Sequence, residues 1–349
     1  MKRIAWLDIA KFFFIMTVIY SHLETKIDEF SCLVVPFMLP GFLFASGYTH
    51  RPGQNFRSFF IKKFRTLFIP WLVLGLFDIC VSQVLSFGEH NFLSELFWNF
   101  LQIRGKNDKL WFVAALFTAY FPFYFFIEWF NRKSAKDNHR VELFMFIALA
   151  IFCAGILYNS TVDPAIFPWG TNSLPWHIDY SFRAIFFMAL GYFFREKYEA
   201  YYERFNPYVR VIVLFVCHAA IVYAPYFVAI PSGLFSVLAN LITPLLGILT
   251  VVSVSKVFPE NRFALFVGQN TLLYFGFQGK VYGVIEGLAR RLLAVPYAAI
   301  LSNKLSSLIF SIALTFVVAI ILIIPCVIVN RYFPFILGRK RSTKTAPAK

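Results

Sequence analysis

The chain has 349 residues, of which 59% are hydrophobic, 20% are aromatic and only 15% are charged. A soluble domain of this length would carry more charge, because water must wet its surface. The formal net charge of +15 does not indicate a nucleic-acid partner, because the basic residues lie in short segments between apolar blocks, as they do in membrane proteins. The composition therefore excludes an ordinary soluble protein and indicates one that spans a lipid bilayer.

Ten apolar segments reach or approach the roughly 20 residues that cross a hydrocarbon core. Backbone groups inside lipid must be satisfied within the segment, which predicts helices. The segments lie near residues 4–22, 31–48, 66–87, 110–130, 142–159, 179–194, 209–226, 233–254, 264–285 and 305–329. Basic residues are concentrated in the loops that are cytoplasmic if the N-terminus lies inside. We therefore predict an all-α, polytopic membrane helix bundle with about ten transmembrane helices and both termini in the cytoplasm.

One membrane domain is predicted to cover residues 1–337. Residues 338–349 are rich in Lys and Arg, and we expect them to form a disordered cytoplasmic tail that contacts anionic lipid. The five cysteines form no CxxC pair, and the sequence contains no metal-ligand or hydrolase motif, so no bound metal is expected.

The first predicted span carries three ionisable residues, Asp8, Lys11 and His22. Ionisable groups at membrane depth are costly, which makes each of them a candidate for function. On a helix, Lys11 and His22 differ by only about 20° beyond three full turns, and Asp8 lies one turn before Lys11. We therefore expect the three side chains to form a single stripe that faces the interior of the bundle.

Two interpretations of this stripe stay open. A structural ion pair between Asp8 and Lys11 accounts for these two residues as well as a catalytic role does. His22 can exchange a proton near neutral pH, as a base must when it activates a sugar hydroxyl for acyl transfer. A proton relay in a transporter uses the same residue types. The three residues alone therefore do not distinguish an enzyme from a transporter.

Two further clusters contain candidate residues. Lys62 and Arg65 are spaced i, i+3 at the cytoplasmic end of the third span, where two cations can hold the phosphates of a soluble donor. Topology-setting charge and contact with anionic lipid are the simpler explanation for this pair. Asp179 and Arg183 are spaced i, i+4, which predicts a salt bridge, and the neighbouring His177 is expected at the outer surface.

Several motifs occur in an order that resembles the membrane-bound acyltransferase-3 family, and in particular its fucose 4-O-acetyltransferase-like branch. That family carries a basic residue, ten intervening positions and a histidine in its first span, which Lys11 and His22 match. The other matches are Pro40–Tyr48, which ends in Ser-Gly-Tyr, Lys62-x-x-Arg65 before Ile69-Pro70-Trp71, Leu110-Trp111-Phe112, Asp179 through Gly191, and Gly268-Gln269-Asn270-Thr271-Leu272. A histidine often follows the last block, whereas this chain has Gln278.

The resemblance implies an enzyme of the bacterial cytoplasmic (inner) membrane that moves an acetyl group from acetyl-CoA to a hydroxyl of a cell-envelope glycan or lipid-linked sugar. It implies that His22 is the catalytic base, supported by Lys11 and Asp8, and that Lys62 and Arg65 bind the CoA phosphates. Candidates for acceptor binding or a structural role are Trp111, His177, Asp179, Arg183 and Asn270. The expected partners are acetyl-CoA, the sugar acceptor and the bilayer. The alternative function is a transporter or flippase of a polar solute or lipid-linked sugar.

Overall fold

The computed structural model describes residues 3–85, 91–133, 140–229 and 231–339. Within these ranges all regular secondary structure is helical, and no strand occurs. The prediction of an all-α, polytopic membrane protein is confirmed. From position 340 onward, the predicted basic tail lies outside the described residues.

The helices follow the apolar blocks of the sequence. They are α1 (Ala5–His22), α2 (Asp28–Tyr48), α3 (Phe56–Lys63), α4 (Ile69–Leu85), α5 (Phe92–Leu101), α6 (Trp111–Lys133), α7 (Arg140–Thr161), α8 (Ile178–Phe193), α9 (Glu199–Tyr202), α10 (Pro207–Tyr223), α11 (Ser232–Val237), α12 (Thr243–Val257), α13 (Arg262–Gln269), α14 (Thr271–Leu292), α15 (Ala294–Leu301), α16 (Lys304–Ile321) and α17 (Ile323–Tyr332). Turns of π-helix at Phe64–Phe68, Phe194–Tyr198 and Leu238–Ile242 join α3 to α4, α8 to α9 and α11 to α12. Short 3-10 turns occupy Pro164–Ile166, Pro175–His177, Ala224–Tyr226 and Pro334–Leu337.

Among the described residues, seven helical runs are long and apolar enough to cross a membrane. They are Asp28–Tyr48, Phe56–Val84, Trp111–Lys133, Arg140–Thr161, Pro207–Tyr226, Leu238–Val257 and Lys304–Tyr332. The other three predicted spans are helical but fall outside this group. Of these, α8 has only 16 residues, and the segment predicted at 264–285 is divided between α13 and α14. The total of about ten crossings and the cytoplasmic location of both termini stay predictions.

The described residues form two compact units. The first unit lies within residues 1–50, 134–152 and 184–323, and the second lies within 51–133, 153–183 and 324–349. The first unit therefore contains α1, α2 and the helices from α9 to α16, whereas the second contains α3 to α6. Helices α7, α8 and α17 contribute residues to both.

Helix α1 is central to the first unit, where it packs against α2, α12, α13, α14 and α16. Its side chains Phe14, Ile15 and Ile19 are fully buried. The contact with α13 is especially close, because a Cβ atom added at Gly268 would lie 1.8 Å from the carbonyl oxygen of Asp8. Small residues allow helix backbones to approach in this way. Helix α13 therefore lies directly against the part of α1 that carries Asp8.

In the second unit, the π turn between α3 and α4 packs against α6, and aromatic residues of α3 extend this contact. Aromatic rings fill this contact, for example those of Phe59 and Tyr124, whose centroids are 4.7 Å apart. The 3-10 turn Pro334–Leu337 packs against the π turn and α4. Gly338 ends that turn with a φ of +67°, and a Cβ atom there would lie 2.8 Å from the carbonyl oxygen of Arg65. A glycine is needed at this position both for its backbone conformation and for the close approach.

Candidate active site

In the first unit, Asp8 and Lys11 form an ion pair on α1. The Nζ atom of Lys11 lies 2.6 Å from Oδ1 of Asp8, and the Nε2 atom of Gln269 donates a hydrogen bond of 3.3 Å to Oδ2 of the same carboxylate. The Asp8 side chain is almost buried, and that of Lys11 is about three-quarters buried. The i, i+3 spacing therefore produces a shielded ion pair that α13 helps to orient.

His22 is the last residue of α1, and its side chain is exposed. Its Nδ1 atom lies 2.8 Å from the carbonyl oxygen of Val18 and 3.3 Å from Oγ of Ser21. A carbonyl oxygen only accepts hydrogen bonds, so the Val18 contact assigns the proton of the neutral ring to Nδ1. The Nε2 atom then carries the lone pair and can accept a proton. Because His22 is exposed while Asp8 and Lys11 are mostly buried, the stripe is shielded at its first residues and open at its last.

The chain that follows His22 is held against α14. The carboxylate of the buried Glu286 accepts a hydrogen bond of 2.9 Å from the backbone N–H of Glu24. Arg290 donates to both carboxylate oxygens of Glu24, each at 2.6 Å, and the ring of Tyr282 lies 6.2 Å from that of His22. Glu286 was not predicted from the sequence, because its contact joins residues 262 positions apart. These contacts fix the end of α1 at which His22 lies.

Asn270 separates α13 from α14 in the first unit. Its φ of −115° and ψ of 19° interrupt the helix, and its side chain donates a hydrogen bond of 2.8 Å to the carbonyl oxygen of Phe266. This contact gives the buried Asn270 a structural role at the end of α13. Gln278, about two turns further along α14, is also buried, and no hydrogen bond to its Oε1 atom is formed in the described part of the chain.

In the second unit, Lys62 lies in the last turn of α3 and Arg65 lies in the π turn that follows. Both side chains are exposed, and neither has a carboxylate partner among the residues that the structure describes. The neighbouring Lys63 is different, because its Nζ atom lies 3.3 Å from the centroid of the Tyr120 ring. The predicted pair is therefore available to an anionic ligand, while Lys63 is engaged in a cation–π contact.

A second cluster in this unit surrounds Trp111, the first residue of α6. The guanidinium carbon of Arg104 lies 4.6 Å from the Trp111 ring centroid, and the His177 ring lies 5.4 Å from it. The Nε2 atom of His177 is 3.7 Å from Oδ2 of Asp108. Trp111 and His177 were predicted from the sequence, whereas Arg104 and Asp108 were not, because neither belongs to a recognised motif.

The electrostatic environment keeps His177 neutral. Burial, together with the positive charge of Arg104, lowers the pKa of His177 to about 4. Burial raises the pKa of Asp108 above its ordinary value, although the N–H of Gly105 donates to the carboxylate and opposes this rise. A neutral imidazole and a partly shielded carboxylate therefore face each other across a distance too long for a hydrogen bond.

The predicted salt bridge between Asp179 and Arg183 is wrong. The Oδ1 atom of Asp179 instead accepts a hydrogen bond of 2.8 Å from the backbone N–H of Leu174, so the carboxylate holds the turn that precedes α8. Among the described residues, the buried Nε atom of Arg183 has no hydrogen-bond partner. The i, i+4 spacing permits an ion pair, but Oδ1 of Asp179 is held instead by the backbone N–H of Leu174 before α8.

Three residues of this cluster have strained backbone conformations. Leu110, Trp176 and His177 have φ values of +55°, +58° and +52°, which side chains other than glycine adopt uncommonly. Strain of this kind costs of the order of 1–3 kcal/mol per residue and persists where the surrounding structure enforces it, often at binding sites. The ring of Trp176 is held 4.7 Å from that of Trp71, and this packing contributes to the enforcement.

Comparison with known proteins gives the identity of the chain at the level of its family. An acyltransferase domain model matches residues 4–329, which include every candidate residue of both units. No curated protein and no solved structure matches the chain. The more specific resemblance to the fucose 4-O-acetyltransferase-like branch stays a prediction. The match covers nearly all of the helical chain, and the protein therefore belongs to the acyltransferase-3 family of multi-pass membrane proteins.

Proposed function

We propose that the protein is an O-acetyltransferase of the bacterial cytoplasmic membrane that moves an acetyl group from acetyl-CoA to a hydroxyl of a cell-envelope glycan or lipid-linked sugar. Family membership supports acyl transfer and does not favour the alternative, a transporter or flippase. The observation that carries the proposal is the hydrogen bond between Nδ1 of His22 and the Val18 carbonyl, because it leaves Nε2 free to act as a base.

The proposed reaction begins when Nε2 of His22 takes the proton from the acceptor hydroxyl. The oxygen attacks the thioester carbonyl, the carbon–sulfur bond breaks, and the CoA thiolate leaves and receives a proton. The same Nε2 atom can instead attack the thioester first and carry the acetyl group to the hydroxyl. Both routes require a neutral His22 whose Nδ1 proton is held by a backbone carbonyl.

Lys11 and Asp8 are assigned a different role from His22. Along the axis of α1, Lys11 lies roughly 16 Å from His22, at 1.5 Å per residue, so the two side chains do not act on the same atoms. We assign the Lys11 charge, oriented by Asp8 at 2.6 Å, to positioning the donor. A buried ammonium without this carboxylate would be costly, which explains why the two residues occur together.

Further substrate-binding residues are assigned to the second unit. Lys62 and Arg65 have exposed charges without carboxylate partners in the described chain, and such charges suit the phosphates of CoA. Trp111 and His177, with Arg104 and Asp108 beside them, combine aromatic surface with hydrogen-bonding groups. That combination is typical of sites that orient a small polar ligand, and we assign it to the acceptor sugar. Asp179 and Arg183 border this cluster.

Substitution of His22 tests the proposal. We expect His22→Gln to abolish transfer of labelled acetyl from acetyl-CoA to envelope glycan, because Gln fills similar space but cannot take the proton. Ser21→Ala is the matched control. It removes the 3.3 Å contact to Nδ1 but leaves the Val18 carbonyl in place, so most activity should be retained. Glycan that still gains the mass of an acetyl group in membranes containing His22→Gln would end the assignment of His22.

A further inference from the structure

A half-open cavity of about 770 Å³ lies in the second unit, where α3 begins and α6 ends. The residues that line it include Gln54 and Asn55 of the turn before α3, the aromatic residues Phe56, Phe125 and Trp129, and Arg132. Cavities of this size, lined by aromatic rings and a few polar groups, are typical of sites for small organic ligands. None of these residues has a role in the proposed reaction.

The wall of the cavity is fixed by hydrogen bonds to α6. The hydroxyl of Tyr124 donates a hydrogen bond of 2.6 Å to the carbonyl oxygen of Gln54, and the N–H of Gly53 donates one of 2.7 Å to the Glu128 carboxylate. The φ of Gly53 is +78°, which allows the turn to present its N–H to α6. The cavity is therefore preformed, and the Glu128 charge is already engaged with its wall.

The aromatic wall offers ring faces to a ligand. Phe56 and Phe125 are stacked, with centroids 5.2 Å apart and planes inclined by 28°. The exposed fractions of Phe125 and Trp129 are 57% and 46%, so parts of both rings are open. A flat heteroaromatic ring inserted here would gain stacking contacts of the kind that bind nucleobases.

The charge around the cavity suits phosphates. Arg132 lines the cavity and Arg57 lies in the first turn of α3, and both are exposed without a carboxylate partner within the described ranges. Helix α3 contains no acidic residue. Further along the same helical run, Lys62 and Arg65 follow Phe56 at roughly 9 and 13 Å, at 1.5 Å per residue. A flat base next to a series of phosphates is complementary to this arrangement.

We propose that this cavity binds the adenine base of the acyl-CoA donor, with the 3′-phosphate of the ribose near Arg132 and Arg57. The pyrophosphate then follows α3 toward Lys62 and Arg65. This inference rests on the proposed function for the identity of the donor, and it extends the donor site from two cations to a specific pocket for the nucleotide. The base supplies affinity, while the cations orient the phosphates.

Direct binding tests the pocket without any need for turnover. The purified full-length protein in detergent is titrated with adenosine 3′,5′-bisphosphate, and binding is followed by calorimetry and by competition with labelled acetyl-CoA. We expect Phe125→Ala and Arg132→Gln to weaken binding about tenfold each, since base stacking and charge-assisted hydrogen bonds are of that order. The matched controls are Phe146→Ala, which removes a 68%-exposed ring elsewhere, and Lys133→Gln, next to Arg132 but outside the cavity lining. Both should bind as the unchanged protein does.

Two donors then separate this inference from the proposed function. Acetyl-CoA carries the nucleotide and acetyl-pantetheine lacks it, so the pocket variants should raise the KM for acetyl-CoA about tenfold and leave the KM for acetyl-pantetheine unchanged. An unchanged protein that binds the bisphosphate but transfers no acetyl group from either donor would contradict the proposed function and support the pocket. Failure of the unchanged protein to bind it, or equal binding by Phe125→Ala and Arg132→Gln, would overturn the pocket. The rings would then be an aromatic belt at the membrane interface.

Discussion

The Nε2 atom of His177 lies 3.7 Å from Oδ2 of Asp108, and no hydrogen bond to this buried nitrogen is formed within the described residues. Buried polar groups are normally paired, so one that is not requires an explanation. The φ of +52° at His177 adds strain at the same point. A ligand hydroxyl between the imidazole and the carboxylate would satisfy both groups, in agreement with the acceptor role proposed for this cluster.

The first prediction concerns the pH dependence of stability that His177 causes. Folding lowers the pKa of His177 from its ordinary value of 6.5 to about 4, so between these values the unfolded chain binds more protons than the folded protein. The contribution of His177 to the free energy of unfolding should therefore have its full value above pH 6.5. It should decline as the pH falls toward 4, by about 3 kcal/mol in total. Thermal unfolding in detergent, measured from pH 8 to pH 4, checks this.

The comparison uses His177→Asn, which cannot titrate. The raised pKa of Asp108 acts in the opposite direction, because protonation of that carboxyl is easier in the folded state. Only the difference between the two proteins therefore isolates His177, and it should shrink as the pH falls through the window. If the stability of the unchanged protein and that of His177→Asn depend on pH in the same way, the lowered pKa of His177 is contradicted.

The sequence predicts the helical class well, because apolar blocks in lipid permit little else. It does not show where a helix is interrupted. The segment near 264–285 was predicted as one span, but Asn270 divides it. The third span was predicted to begin near residue 66, whereas helix begins at Phe56, since the basic residues of α3 hide the helix from a hydropathy pattern.

The candidate site was predictable where its contacts are local. The Asp8–Lys11 pair follows from i, i+3 spacing and is formed. The i, i+4 spacing of Asp179 and Arg183 predicted a salt bridge that is not formed, and Oδ1 of Asp179 instead accepts a hydrogen bond from the backbone N–H of Leu174. Arg104 and Asp108 were missed because their environment depends on chain far away in sequence, as the hydrogen bond from the Arg104 N–H to Ser173, 69 positions later, illustrates.

The second prediction separates charge balance from function in the Asp8–Lys11 pair. Lys11→Met leaves a shielded carboxylate without its partner, which should cost about 3–5 kcal/mol of stability. The double variant Asp8→Asn/Lys11→Met removes both charges and should recover most of that loss. If Lys11 positions the donor, the double variant should fold and still transfer no acetyl group. Full activity in a stable double variant would show that the pair is only structural.

The third prediction concerns the contact between α1 and α13. A Cβ atom at position 268 would lie 1.8 Å from the Asp8 carbonyl oxygen, so Gly268→Ala must displace one helix and should cost about 1–3 kcal/mol or more. Gly287→Ala on α14 is the control, because nothing lies within 4 Å of its added Cβ. It should leave stability unchanged or raise it by up to about 1 kcal/mol, since alanine favours helix. Equal unfolding temperatures for the two variants would contradict the close approach.

The fourth prediction uses adjacent lysines as a matched pair. Lys62 is exposed without a carboxylate partner in the described chain, so Lys62→Gln should raise the KM for acetyl-CoA about tenfold, more at low salt than at high salt. Lys63 contacts the Tyr120 ring at 3.3 Å, so Lys63→Gln should lower stability by about 1 kcal/mol with little change in KM. Arg65→Gln should resemble Lys62→Gln. If Lys63→Gln raises the KM for acetyl-CoA and Lys62→Gln does not, the phosphates of the donor do not bind to the exposed face of this helix.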